Sequence, residues 1–230
     1  MGNQAVNSLA LVSARKTTEA LDVLTMLLST HLYCVCQAID LRFIDLQFRE
    51  SLAHQLKASI ETSFGSMLGE PQQVVLLAVI SQVIAIRLDQ TSSMDLEPRW
   101  RDAFDFASSK VVDALAESGD TSALSAVVRW RKQSATDAAA LMRKTRDDFF
   151  APGGAGTVAD YLGGGSRELY TFVRQELGIK TRRGDVYSQE AHGTQDRTVG
   201  SSVSTIFDAV KSGRVRDVVT KLVHRADAAA

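Results

Sequence analysis

From Asn3 to Phe64 the chain runs 62 residues without a glycine or a proline. Those two residues are the strongest local breakers, so their absence over such a length predicts helix. Leu21, Leu24, Leu28, Leu32, Val35 and Ile39 recur at steps of three and four, the period of one helical face. At 1.5 Å per residue an unbroken helix here would run roughly 90 Å, longer than a small domain is wide. Val23, Met26, Leu27, Tyr33, Cys34 and Cys36 spread apolar character around the same stretch. A helix apolar nearly all round is buried on all sides. The expectation is a long central bundle helix, covered partly by other subunits.

Breakers then divide the rest. Of 15 glycines only four, at positions 2, 65, 69 and 119, precede residue 150, and the prolines are Pro71, Pro98 and Pro152. Pro71 suits the first turn of a helix carrying Leu76, Val79, Ile80 and Val83. Pro98 opens another, with Phe104, Ala107, Val111 and Leu115 on one face. Gly119 ends it, and Asp120 suits the N-cap of a helix carrying Leu124, Val127, Val128, Ala138, Leu141 and Met142. The stretch APGGAGTVADYLGGGS reads as a flexible crossing, with Thr157 and Asp160 capping one turn. A short amphipathic helix with Leu169, Phe172, Val173 and Leu177 closes on Gly178. Two last helices carry Val203, Ile206, Phe207 and Val210, then Val215, Val218, Val219 and Leu222, with Gly213 between them. No stretch alternates with period two, so an all-α chain is expected. Its divisions are 1–65, a core helix; 66–150, shorter helices; and 151–230, the crossing and C-terminal helices.

Charge and composition exclude several classes. Basic and acidic residues number 26 and 27, so no overall field favours nucleic acid or an acidic membrane. Two cysteines two residues apart exclude a disulfide-stapled scaffold. No signal-peptide pattern is readable, and Ser81, Gln82 and Arg87 interrupt the most apolar stretch, Val74 to Leu88. The expectation is a cytoplasmic protein with no membrane and no nucleic-acid partner.

Local constellations add little chemistry. Gly154, Gly156 and Ala159 match GxGxxA with Glu176 about twenty residues on, but a helix precedes them where a dinucleotide site needs a strand. Cys34 and Cys36 diverge by about 200° on a helix and read as small hydrophobes, even with His31 one turn away. His54, His192 and His224 have no ligand spacing, so no metal is expected. Lys180, Arg182, Arg183, Lys211, Arg214, Arg216, Lys221 and Arg225 are interleaved with Asp185, Asp208 and Asp217, as on a solvated or subunit-facing surface. Trp100 and Trp130 each sit between arginines, which suggests a helix edge with arginine stacked across the ring.

Longer blocks are more telling. NQAVNSLALVSARK at the N-terminus, THLYCVCQAIDLR, LEPRWRDAF, LYTFVRQELGIKTRRGDVY and TVGSSVSTIFDAVKSGRV occur in this order. Together they resemble the aromatic amino acid ammonia-lyases, the fungal phenylalanine ammonia-lyases above all. The glycine-rich crossing and the span from about Ser51 to Gln90 match less distinctly. The resemblance implies an all-helical homotetramer built on a shared central bundle, with additional helices shielding the active site. It implies elimination of ammonia from L-phenylalanine, and in some members L-tyrosine, to give trans-cinnamate or coumarate. Histidine ammonia-lyases share the chemistry, but the RWRDAF block and the helical extension resemble the phenylalanine branch.

The family's electrophile is a methylidene-imidazolone (MIO) ring formed from Ala-Ser-Gly. It holds the amine, a poor leaving group, while a tyrosine base removes the β-proton. No Ala-Ser-Gly occurs here; Ala107-Ser108 is followed by Ser109. The resemblance places the ring, the catalytic tyrosine, the carboxylate-binding arginine and an amine-contacting glutamate upstream of this sequence. Only Asn3 and Gln4 carry over, as substrate or product contacts. A neutral amide suits that role, since it donates to a carboxylate and accepts from an amine. The residues alone also allow an N-terminal helix cap. The expectation is the C-terminal part of a lyase, with no catalytic residue of its own and inactive in isolation. The alternative is a non-catalytic helical scaffold that docks onto full-length lyase subunits.

Overall fold

The computed structural model describes residues 6–117, 124–183 and 198–227, and every regular element among them is helical. In chain order these are α1 (Val6–Phe64), α2 (Glu70–Gln90), α3 (Leu96–Glu117), α4 (Leu124–Phe150), a 3-10 helix (Gly154–Tyr161), α5 (Gly164–Thr171), a π-helical turn (Phe172–Glu176), α6 (Val199–Lys211) and α7 (Arg214–Asp227). The Gly119–Asp120 cap lies outside the described residues. The chain divides into two compact units, Ile44–Ala151 and the combination of Met1–Phe43 with Pro152–Ala230.

The unit Ile44–Ala151 has an ordinary apolar core. Phe48, Leu52, Leu56, Ile60 and Phe64 are buried on α1 at strict intervals of four. Pro71 stands in the first turn of α2, where a missing N–H costs nothing, and Leu76, Ile80 and Ile84 are buried on that helix. α3 packs on both α2 and α4 and contributes Trp100, Ala103, Phe104, Ala107, Val111 and Leu115. The two tryptophans correct the expectation of helix edges. Trp100 and Trp130 are 2% and 3% exposed, and their partners are phenylalanines. Trp100 lies 5.5 Å from Phe48, and Trp130 5.8 Å from Phe64 and 5.5 Å from Phe104, centroid to centroid. Two of the flanking arginines have other partners: Arg99 donates to the Leu88 carbonyl, and Arg131 pairs with Asp105 at 3.3 Å. Trp130 Nε1 donates to Ser59 Oγ at 3.1 Å, so its polar atom is satisfied inside the core.

At the end of α1 the chain turns tightly. A Cβ built on Gly65 would lie 2.4 Å from the Glu61 carbonyl oxygen, a separation only glycine avoids. Glu70 to Gln90 and Leu9 to Phe64 are each long and apolar enough, by length and composition, to cross a bilayer. The interruptions in Val74–Leu88 are therefore weaker than the sequence suggested. Ile80 and Ile84 nevertheless face the core, and Arg87 pairs with Asp102 through two bonds of 2.5 and 3.1 Å.

The other unit is built differently. Its buried positions on α1 are Ser29, Tyr33, Cys36, Asp40 and Phe43, spaced four, three, four and three. That is heptad spacing, and the seam mixes apolar Tyr33, Cys36 and Phe43 with polar Ser29 and Asp40. The predicted apolar stripe lies around the helix from it: Leu21, Leu24, Leu28 and Val35 are exposed, Leu21 by 56%. The helix is thus not covered by its own chain. α5 packs on α7 and on the 3-10 helix, and α6 on α7. The glycine-rich crossing is in fact regular. After Gly153, at φ +87°, eight residues wind as 3-10 helix and bury Val158. The amphipathic helix predicted after it widens into a π turn at Phe172, where Leu177 N–H reaches the Phe172 carbonyl. Gly178, at φ +64°, then ends it, and Ile179 N–H is bonded to the Val173 carbonyl six residues back at 3.2 Å.

Candidate functional site

Asn3 and Gln4 lie outside the described residues. Among the described residues, the densest polar cluster forms on the seam of α1 around Asp40, which is fully buried. One carboxylate oxygen accepts from the Tyr170 hydroxyl. The other accepts from Arg174 Nη2 and, at 2.5 Å, from Thr181 Oγ1. Arg174 Nη1 also donates to the Ile179 carbonyl at 3.0 Å, and its guanidinium stacks 5.8 Å from the Tyr170 ring. One turn earlier, the Gln37 amide pairs with the Arg182 backbone in both directions at 3.1 Å. The segment after α5 is therefore fastened to α1 by a buried ion pair, two hydroxyls and one amide. A buried carboxylate needs such compensation, because desolvation costs several kcal/mol per ion.

Local structure explains why these side chains meet. Tyr170 and Arg174 are four apart, across the junction of α5 with the π turn, so they project from one face. Gly178 reverses the backbone and brings Thr181 and Arg182 back toward α1. Sequence reasoning missed Asp40, Tyr170, Arg174 and Thr181, since Asp40 is separated from its partners by 130 residues or more. One signal was available: Asp40 is the acid that directly follows the mostly apolar stretch from His31 to Ile39, at heptad spacing from Tyr33 and Cys36.

The electrostatics argue against acid–base work at this cluster. Burial first, then the hydrogen bond to Asp40 and its charge, hold the Tyr170 phenol well above its ordinary range; Arg174 opposes. A tyrosine that must accept a proton needs the reverse shift. Burial likewise pushes the Cys36 thiol up to about 11, with Arg174 opposing and Asp40 adding to the rise. Cys36 is 1% exposed whereas Cys34 is exposed, as opposite-facing positions should be, and both are free thiols. Among the described residues no three of His, Cys, Asp and Glu gather as a metal set would. GxGxxA falls inside the 3-10 helix, after α4 and not after a strand. Of the basic residues, Lys211 pairs with Asp22 at 2.8 Å, Arg216 with Asp217, and Arg214 stacks on Phe172 at 5.3 Å.

The residues present do not fit an MIO ring. The nearest tripeptide, Ala107-Ser108-Ser109, lies within α3; Ala107 is fully buried and Ser108 Oγ donates to the Asp105 carbonyl. It lacks the glycine, and its backbone is committed to helix.

Fold and cluster together define an all-helical class: a long helix fastened to later helices by a buried carboxylate, with an apolar face left open. Residues 1–61 match the family described as aromatic amino acid lyase. The chain is 46% identical to the phenylalanine/tyrosine ammonia-lyase of Rhodotorula toruloides and 43% identical to the phenylalanine ammonia-lyase of Rhodotorula mucilaginosa, over 97% of its own length in both cases. It superposes on the crystal structure of phenylalanine ammonia-lyase from Rhodosporidium toruloides with a TM-score of 0.83, covering 95% of this chain and 33% of that one. The chain is thus similar to fungal aromatic amino acid lyases, whose family pattern its first 61 residues match. It spans about a third of the length of these relatives, 31% of the first.

Proposed function

We propose that these residues form the C-terminal helical part of an ammonia-lyase acting on L-phenylalanine, with L-tyrosine as a second substrate, and giving trans-cinnamate and ammonia from L-phenylalanine. The observation that carries this is the 46% identity sustained over 97% of the chain. In the complete enzyme, Asn3 and Gln4 contact substrate or product, and the electrophilic ring comes from an upstream Ala-Ser-Gly. The role of the chain is assembly. Leu21, Leu24, Leu28 and their neighbours offer other subunits an apolar helix face of the kind a homotetramer core covers. Two free cysteines agree with a reducing, cytoplasmic setting.

On this reading the isolated chain is inactive. Incubated with L-phenylalanine it forms no cinnamate by absorbance, and any growth of the cinnamate band overturns the account. In sedimentation it self-associates; a well-folded monomer contradicts the assembly role. In a complete enzyme Asn3→Ala lowers kcat/KM by about a hundredfold, the scale of losing one positioned donor.

A further inference from the structure

The unit Ile44–Ala151 holds a cleft of about 320 Å³ between α1, α2, the start of α3 and the end of α4. Its size is at the small end of ligand sites. Phe48, Leu52, Ile84 and Trp100 give it an apolar floor. Two features of its polar groups point to an occupant. Trp100 is 2% exposed, yet its indole N–H donates no hydrogen bond among the described residues, whereas the equally buried Trp130 does. That N–H is not an enclosed orphan, since among the described residues the enclosed side-chain nitrogens without a hydrogen-bond partner are Arg131 Nε and Arg174 Nε; it keeps solvent access and is free to donate to a molecule in the cleft. Arg146, also on the lining, makes no hydrogen bond or ion pair among the described residues.

The other charges on the lining narrow the ligand. Arg49 is held by both oxygens of Asp45 at 2.9 Å, so that pair is internally neutral. Arg99 spends two donors on the Leu88 carbonyl, at 3.2 and 2.6 Å, and keeps its charge without a carboxylate partner among the described residues. Asp89 stands against these two cations. The balance is one positive charge, which suits a monoanion and disfavours a polyanion such as a nucleotide.

We propose that this cleft binds a small amphipathic monocarboxylate, its flat apolar body on the floor and its carboxylate accepting from Arg146 and the Trp100 indole. The site is carried by residues of this unit and does not rest on the lyase reading.

The test titrates the 230-residue chain, labelled with 15N, with 2-naphthoate, and compares the neutral 2-naphthamide and the cationic 2-naphthylmethylamine. The indole resonance that disappears in Trp100→Phe should shift with naphthoate, and the amide should bind at least tenfold more weakly. Arg146→Gln, at an exposed position, should weaken naphthoate about tenfold and leave naphthamide unchanged; a factor of ten is about 1.4 kcal/mol. Asp89→Asn should tighten naphthoate. Ala53→Phe, which fills the cleft mouth, should abolish the shift, with circular dichroism confirming an intact helical fold. Equal binding of acid and amide, naphthoate affinity indifferent to Arg146→Gln, or a shift confined to the Trp130 resonance would overturn the proposal.

Discussion

The same helix is held in two ways. In Ile44–Ala151, α1 contributes Phe48, Leu52, Leu56, Ile60 and Phe64 to a core of rings and aliphatic chains. In the other unit its buried seam is Ser29, Tyr33, Cys36, Asp40 and Phe43, and specific bonds at Asp40 supplement the apolar contact. The difference teaches what each stretch is for. A helix face filled by its own chain is finished, whereas the one whose leucines remain outside is the face proposed to receive other subunits. The fastening also fixes orientation: a carboxylate with three defined donors admits one register, where leucines would tolerate several.

Substitutions sharpen the contrast. The largest loss is expected in the apolar unit, where Phe104→Ala should cost about 4 kcal/mol by urea denaturation, because the cavity between Trp100 and Trp130 cannot collapse. In the polar unit Asp40→Ala should cost about 3 kcal/mol, since Arg174 is left buried and unpaired. The double change Asp40→Leu with Arg174→Met should recover much of that loss. If it does not, the seam is held by packing and the contrast fails.

A smaller effect is expected at Gly178. Alanine there must adopt φ +64°, at a cost of about 1–2 kcal/mol, although no atom lies within 4 Å of the added Cβ.

The smallest effects separate the units by pH. Asp102 is held below the ordinary carboxylate range, chiefly by its hydrogen bond to Arg87. Its contribution is present above that range and is lost as pH falls through the lowered value. The pair is partly open to solvent, so screening keeps this contribution small. Tyr170 and Cys36 are shifted upward, so their contributions are complete below the ordinary phenol and thiol ranges and are lost as pH rises, for Cys36 toward about 11. Alkali should loosen the polar unit first, and acid should tell on the Arg87–Asp102 bridge. Hydrogen exchange followed at both extremes reads the two units separately.

The helices were legible in the sequence because their boundaries are local. Gly65, Pro71, Pro152, Gly178 and Gly213 act through their own backbone, and each stands where a helix starts or stops. The buried cluster was not legible, since no periodicity links Asp40 to Tyr170, Arg174 and Thr181. The tryptophans misled for a related reason. Charged neighbours at i±1 point about 100° away on a helix and say little about the ring between them. The glycine-rich stretch misled because composition reports freedom, whereas Val158 and Tyr161 anchor this one: Val158 is buried and Tyr161 meets Phe43 edge-on at 5.0 Å. The residues proposed to touch substrate, Asn3 and Gln4, came from resemblance alone.

The central claim is that these residues complete a lyase they cannot replace. Its most direct test joins the part of the Rhodotorula toruloides enzyme that precedes the matched region to this chain and assays L-phenylalanine. The account predicts that the joined protein is oligomeric and releases cinnamate, while neither part does so alone. A soluble, helical and oligomeric joined protein without activity would contradict it.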